Sequence, residues 1–194
     1  MTTMRNATLA ALIAFVAMGL PGCDKQKQTS EQKDAAAKAE AVVGTKQDVL
    51  EALAGTSDLS TMTTLVKSAG LEKALGGVGN YTLFAPTDAA FARLPEDQRK
   101  LLESKDGRSQ LLALLRQHIV TGFIAQADLD KGLARSGGAA SLATMGGAPI
   151  RLHRGKNGIL LGPGDAGPRV VSEPIVSRNG VIYRIDQVIP PPAK

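Results

Sequence analysis

The sequence predicts an α+β fold, with helices first and a mostly antiparallel sheet after them. Three observations carry this reading. Met62, Leu65, Val66 and Ala69 fall at i, i+3, i+4 and i+7, the spacing of one buried helical stripe. Ile150 and Leu152 alternate with Arg151 and His153 and lead into Asn157-Gly158, which reads as a strand with one wet face and a tight hairpin turn. Between them, Tyr81 to Pro95 reads as a strand handing over to a capped helix, which ties the sheet to the helical layer.

The 194 residues suffice for one domain plus extensions. Residues 1–22 read as a secretion signal. Arg5 supplies a positive start, and Ala7 to Leu20 form an apolar run too short to span a bilayer comfortably. Leu20-Pro21-Gly22-Cys23 then resembles a lipoprotein box. Cys23 is the only cysteine and is expected to be acylated, anchoring the chain to a membrane through its fatty chains. One cysteine allows no disulfide within the chain and no thiolate cluster for zinc. Residues 23–45 read as a flexible tether. Apolar side chains larger than Ala are absent there until Val42, so burial cannot offset the entropy of ordering. As a coil the tether spans on the order of 25 Å.

Residues 46–190 read as the folded domain. Val49, Leu50 and Leu53 form a short apolar face. Ser60 is expected to cap the helix that carries the stripe. Gly70 is placed to end it in a left-handed conformation, with Leu71 as the accompanying apolar contact. Glu72 to Leu75 adds a turn. Tyr81, Thr82, Leu83 and Phe84 suit a half-buried strand, and Pro86 lacks a donor and should end its ladder. Thr87 then caps a helix, with Asp88 in the first turn facing the positive end of the dipole. Ala89, Ala90, Phe91 and Leu94 continue that helix. Pro95 opens a further helix as its first residue, and Asp106-Gly107 breaks it. Ser109 to about Ile119 follows, with Leu111, Leu114, Leu115 and His118 on one face. His118 on an apolar stripe reads as a buried, hydrogen-bonded imidazole rather than a proton switch or ligand contact.

Residues 132–147 are crowded with Gly and Ala and read as a loop, with Leu142 and Met145 as isolated apolar anchors. After the Ile150–His153 strand, Ile159 to Leu161 returns. Val170-Val171 and Ile175-Val176 are short strand pieces. Asn179-Gly180 turns into a last strand, Val181 to Ile189. The prolines at 190–192 end the fold, and 191–194 are a tail.

The segment FAPTDAAF at Phe84–Phe91 resembles the first signature of fasciclin (FAS1) domains, F-A-P-T-[DN]-x-A-F. NGVIYRIDQVI at Asn179–Ile189 resembles the second, N-G-V-I-H-x-I-D-x-V-L. LLRQHIV at Leu114–Val120 resembles the helical segment ending in Tyr-His that lies between them. The resemblance implies a wedge of about seven mostly antiparallel strands with helices packed alongside. It also implies that Phe84, Pro86, Thr87, Asp88, Phe91, His118, Asn179, Gly180, Tyr183 and Asp186 are structural positions of the motif. Gln117 stands where the family has Tyr. Tyr183 stands where it usually has His, so a hydrogen bond specific to imidazole there, with any pH response, is lost.

Catalytic constellations are not found. There is no G-x-S-x-G elbow, no phosphate loop and no H-E-x-x-H. Asp88 and Asp186 would pair only if the fold joined them; otherwise Asp88 caps a helix and Asp186 faces solvent or the neighbourhood of Arg184. His118 and His153 are too few for a typical metal site, so no metal and no cofactor is expected. Arg151, His153, Arg154 and Lys156 make a basic hairpin, read first as a solvated face and second as a contact for an acidic partner or lipid head groups. A net charge of +5 with 3% aromatics argues for solubility and against single-stranded nucleic-acid binding. The expectation is an exported, membrane-anchored, non-catalytic adhesion or interaction module with an unknown envelope or extracellular protein as partner. The alternative is a carrier of a small apolar ligand, a lipid or pigment.

Overall fold

The computed structural model describes residues 46–190. The expected leader (1–22), Cys23, the tether to residue 45 and the tail at 191–194 lie outside the described residues. In chain order come α1 (Val49–Ala54), a 3-10 turn (Ser57–Leu59), α2 (Ser60–Ala69), α3 (Glu72–Leu75) and β1 (Tyr81–Pro86). Then follow α4 (Asp88–Ala92), α5 (Glu96–Glu103), α6 (Arg108–His118), β2 (Ile119–Thr121) and α7 (Gln126–Arg135). The chain closes with β3 (Ala139–Leu142), β4 (Ile150–Gly155), β5 (Gly158–Leu161), β6 (Ile175–Ser177) and β7 (Gly180–Ile185). The seven strands form two sheets, ordered β2-β1-β7-β6 and β3-β4-β5. The α+β class with seven strands is therefore as expected.

The centre of the larger sheet is a parallel pair. β1 runs beside β7 with Leu83 opposite Ile182 and Phe84 opposite Tyr183, while the other ladders are antiparallel. Parallel neighbours need a long crossover, and residues 87–179 lie between these two. The hairpin-based reading did not foresee this pair. Nor is β1 half-buried: Thr82 to Pro86 are all buried, because both faces of the sheet are covered. Leu83, Ala85 and Ile182 point into a first core built with Val49, Leu53, Met62, Val66 and Leu115 of the helices. Phe84, Val181, Tyr183 and Ile185 point into a second core with Leu129 and Leu133 of α7 and Ile150, Leu152, Ile159 and Leu161 of the smaller sheet. Phe84 and Tyr183 stack with ring centroids 5.5 Å apart. Each such side chain, fully buried, contributes roughly 1.5–3 kcal/mol.

Two stitches join the sheets. Arg169 bridges Leu160, and Val170 bridges Ile185. The amide of Val170 donates to Ile159 O (2.9 Å) and that of Val171 to Arg184 O (3.0 Å). On the other side Thr144 bridges Val120, and Met145 N donates to Ile119 O (2.8 Å).

Several local readings change. Pro86 does end the ladder, opposite Ile185, but its missing N–H is not needed there, because the amide of Thr87 makes the last bond, to Ile185 O (3.1 Å). Pro95 precedes α5 as its cap residue rather than opening it. Residues 132–147 are not a loop: α7 reaches Arg135 and β3 begins at Ala139. Leu129 and Leu133, four apart, give α7 its buried face, and Gly132 between them hid it. Leu142 does pack on the second core, but Met145 is 38% exposed and anchors nothing. β7 ends at Ile185, since Asp186 turns to hold Arg169. Gly70 closes α2 as expected, at φ 74°, with Leu71 N donating to Val66 O (3.1 Å).

Candidate functional site

The first signature segment, Phe84–Phe91, works as a junction. Thr87 caps α4: its Oγ1 accepts from Ala90 N (3.3 Å). Asp88 does something the local pattern did not show. Its Oδ2 accepts from Ser60 Oγ (2.7 Å) and its Oδ1 from Thr61 N (2.7 Å). The acceptor at the start of α2 thus comes from Asp88, and Ser60 is not the cap it was expected to be. Partial burial acts to raise the Asp88 pKa, but the hydrogen bonds from Thr61 and Ser60 outweigh it and hold the carboxyl below its ordinary range. Asp186 is engaged elsewhere. Its Oδ1 accepts from Arg169 N (2.7 Å), and its carbonyl accepts from Arg93 Nη1 (3.3 Å). The two carboxylates have separate partners and do not act as a pair. Arg184, expected beside Asp186, instead donates to Ser172 Oγ (2.6 Å) and Asp58 Oδ2 (3.1 Å).

His118 is fully buried, as its apolar stripe required. Ile189 N donates to its Nε2 (3.0 Å), so the proton sits on Nδ1, which donates to Leu114 O (2.8 Å). Burial lowers its pKa to about 4, against a smaller upward pull from the Leu114 bond. The neighbouring Gln117 spends its amide on the segment between β3 and β4: Nε2 donates to Ala148 O (3.1 Å) and Oε1 accepts from Thr144 Oγ1 (3.3 Å). Tyr183 keeps the packing of its strand and donates its hydroxyl to Ile124 O (2.9 Å). Burial, with help from Asp130 and Asp128, pushes its pKa above that of an ordinary phenol, so the hydroxyl stays a donor.

The second signature opens on a hub whose local Asn-Gly pattern reads as a turn and whose resemblance marks it as structural without naming its partners. Asn179 is buried; its Oδ1 accepts from Val49 N (2.7 Å), and its Nδ2 donates to Leu75 O (2.7 Å) and Gly77 O (2.9 Å). Its carbonyl also accepts from Tyr81 N (3.0 Å). One residue thus joins the start of α1, the end of α3 and the entry to β1. Gly180 follows for lack of space: a Cβ there would lie 2.6 Å from Tyr81 O.

The basic hairpin is not one patch. Arg154 turns toward α7 and pairs with Asp130 (2.6 Å). His153 Nε2 lies 3.7 Å from Asp165 Oδ1 and is half-buried. Arg151 and Lys156 are exposed. A shallow depression elsewhere is lined by Ser60, Thr61, Thr64, Leu65 and Glu103, mostly hydroxyls and one carboxylate. Among the described residues no group of three or more His, Cys, Asp or Glu is placed to hold a metal ion. Among them, too, no helix is long and apolar enough to cross a membrane.

The motif residues of this helix-backed pair of sheets are thus engaged in bonds that join one element to another. The chain belongs to the fasciclin family: the fasciclin domain model matches residues 57–191. It is 30% identical to the protein sll1483 of Synechocystis sp. over 192 residues, 98% of each chain. It is 29% identical to the immunogenic protein MPB70 of Mycobacterium bovis over 204 residues, 99% of this chain and 95% of that one. Stabilin-1 of Homo sapiens is 36% identical over 135 residues, which are 66% of this chain but 5% of stabilin-1. A solved FAS1 domain pair from the insect cell adhesion molecule fasciclin I has the same fold, with a TM-score of 0.62 at 18% identity. That match covers 75% of this chain and 51% of the other, so this chain spans about half of the pair.

Proposed function

We propose that this chain is an exported fasciclin-domain lipoprotein, held at a membrane through Cys23, that works as a non-catalytic adhesion or protein–protein interaction module. The observation that carries it is the fasciclin match over 57–191, in a family that includes a cell adhesion molecule. The site chemistry supports it. His118, Asp88, Tyr183 and Asp186 are all engaged in bonds that hold elements together. The leader, the lone cysteine at its end and the polar tether fit display on the far side of a membrane. The alternative, an apolar-ligand carrier, would need an apolar cavity; the depression described above is lined by Ser60, Thr61, Thr64 and Glu103 together with Leu65.

The test is made in living cells with the full chain. Cross-linking and mass spectrometry should recover an envelope or extracellular protein. Cys23→Ala should move the chain from the membrane fraction to the soluble one. Recovery of the wild-type chain from the cytosol, or cross-links to nothing at any ionic strength, would overturn the reading.

A further inference from the structure

The smaller sheet ends on β3, and one long side of that strand is open. Gly162 N donates to Arg151 O (2.7 Å), so the main chain of Arg151 faces β5. Arg154 N donates to Gly138 O (3.0 Å), so Arg154, Leu152 and Ile150 face β3. With Ala140 opposite Leu152 and Leu142 opposite Ile150, the alternation of the strand turns the N–H and C=O of Ser141 outward. Neither group has a partner among the described residues. Two of the other edges are closed. β2 is met by Thr144 and Met145, and β5 by Pro168 to Val170. β6 is only three residues long and is preceded by Pro174.

Natural edge strands are usually guarded by a charge, a proline or a bulge. No charged residue occurs from Ser136 to Ile150. Ala139, Ser141 and Ala143 are small and exposed. Cations flank the strand instead. Arg135 ends α7 just before it, and Arg151 stands directly opposite Ser141. Both are exposed, and neither has an ion-pair partner among the described residues. Over 126–158 there are five Lys or Arg and two Asp, of which Asp130 is already held by Arg154.

We propose that β3 receives an extended acidic segment of a partner protein as a fourth strand, main chain to Ser141 and carboxylates to Arg135 and Arg151. This rests on the interaction reading above and names the edge through which it works. Strand addition supplies main-chain bonds whatever the sequence, and the cations supply the choice of partner. A second copy of the chain would bring the same cations to the same edge and leave them unmatched.

The test uses the full chain and two synthetic peptides, one alternating Glu and Val, the other Lys and Val. The Glu peptide should slow amide exchange at Ser141 and bind about tenfold or more tighter than the Lys peptide, weakening with salt. Ser141→Pro should abolish binding with the unfolding midpoint kept, because the lost N–H faces outward. Should that variant unfold, Arg135→Glu with Arg151→Glu should remove the preference without touching the backbone. The proposal is overturned if the Ser141 amide is unaffected or already slow in the free chain, or if the peptides bind equally. A dimer that Ser141→Pro dissociates would also overturn it, in favour of a second copy. A cross-linked cellular partner retained by Ser141→Pro would reject this edge while leaving the adhesion reading in place.

Discussion

Asn179 makes three side-chain hydrogen bonds to main-chain groups that meet nowhere near it in sequence. Asn179→Ala would leave the Val49 amide and two carbonyls without those partners. The expected loss is about 3 kcal/mol or more, read by urea denaturation; a loss under about 1 kcal/mol would mean that water replaces the side chain. His118 makes stability depend on pH. Its folded pKa of about 4 lies below the ordinary 6.5, so the unfolded chain binds the proton first. Stability is full above about pH 6.5 and falls as pH drops toward 4, by on the order of 3 kcal/mol. Denaturation at pH 7, 5.5 and 4 should follow that slope, and His118→Gln should flatten it. The burial of His118 was legible from its neighbours Leu111, Leu114 and Leu115. The role of Asn179 was not, since an Asn-Gly dipeptide signals a turn and says nothing of partners more than a hundred residues away.

Among the elements, α2 takes the acceptor for its first turn from another segment, Asp88. Asp88→Ala should cost about 1 kcal/mol and speed amide exchange at Thr61, while Ser60→Ala should cost less because the Asp88–Thr61 bond remains. Equal losses for both variants would place the cap on Ser60 after all. The helical stripe of α2 and its Gly70 stop could be read from spacing, because an i→i+4 pattern is local. α7 escaped because Gly132 and the Gly/Ala run after it look like loop, and the pattern that counts is just Leu129 and Leu133. β1 was recognised as a strand, but its burial was not. Whether a strand is covered on one face or two depends on what packs against it, and here α7 and the smaller sheet close the second face.

The two cores lie back to back on the same pair of strands, so the domain should unfold as one unit. Leu53→Ala in the first core and Leu152→Ala in the second should each lower a single calorimetric transition, by about 2–5 kcal/mol. Two separated transitions in either variant would show the cores to be independent. The family was readable in advance because FAPTDAAF, LLRQHIV and NGVIYRIDQVI resemble the fasciclin signatures in order, and the fold class because helical and strand periods follow one another along the chain. Helix stripes, the buried imidazole and the β4–β5 hairpin followed from short-range signals, although the hairpin turns on Lys156 and Asn157, with Gly158 already in β5. The parallel join of β1 to β7, the reach of Asp88 to α2, the hub at Asn179 and the open side of β3 did not. Each depends on which distant segments lie side by side, and that is settled by burying two apolar faces of one sheet at once, a condition no local window of the chain contains.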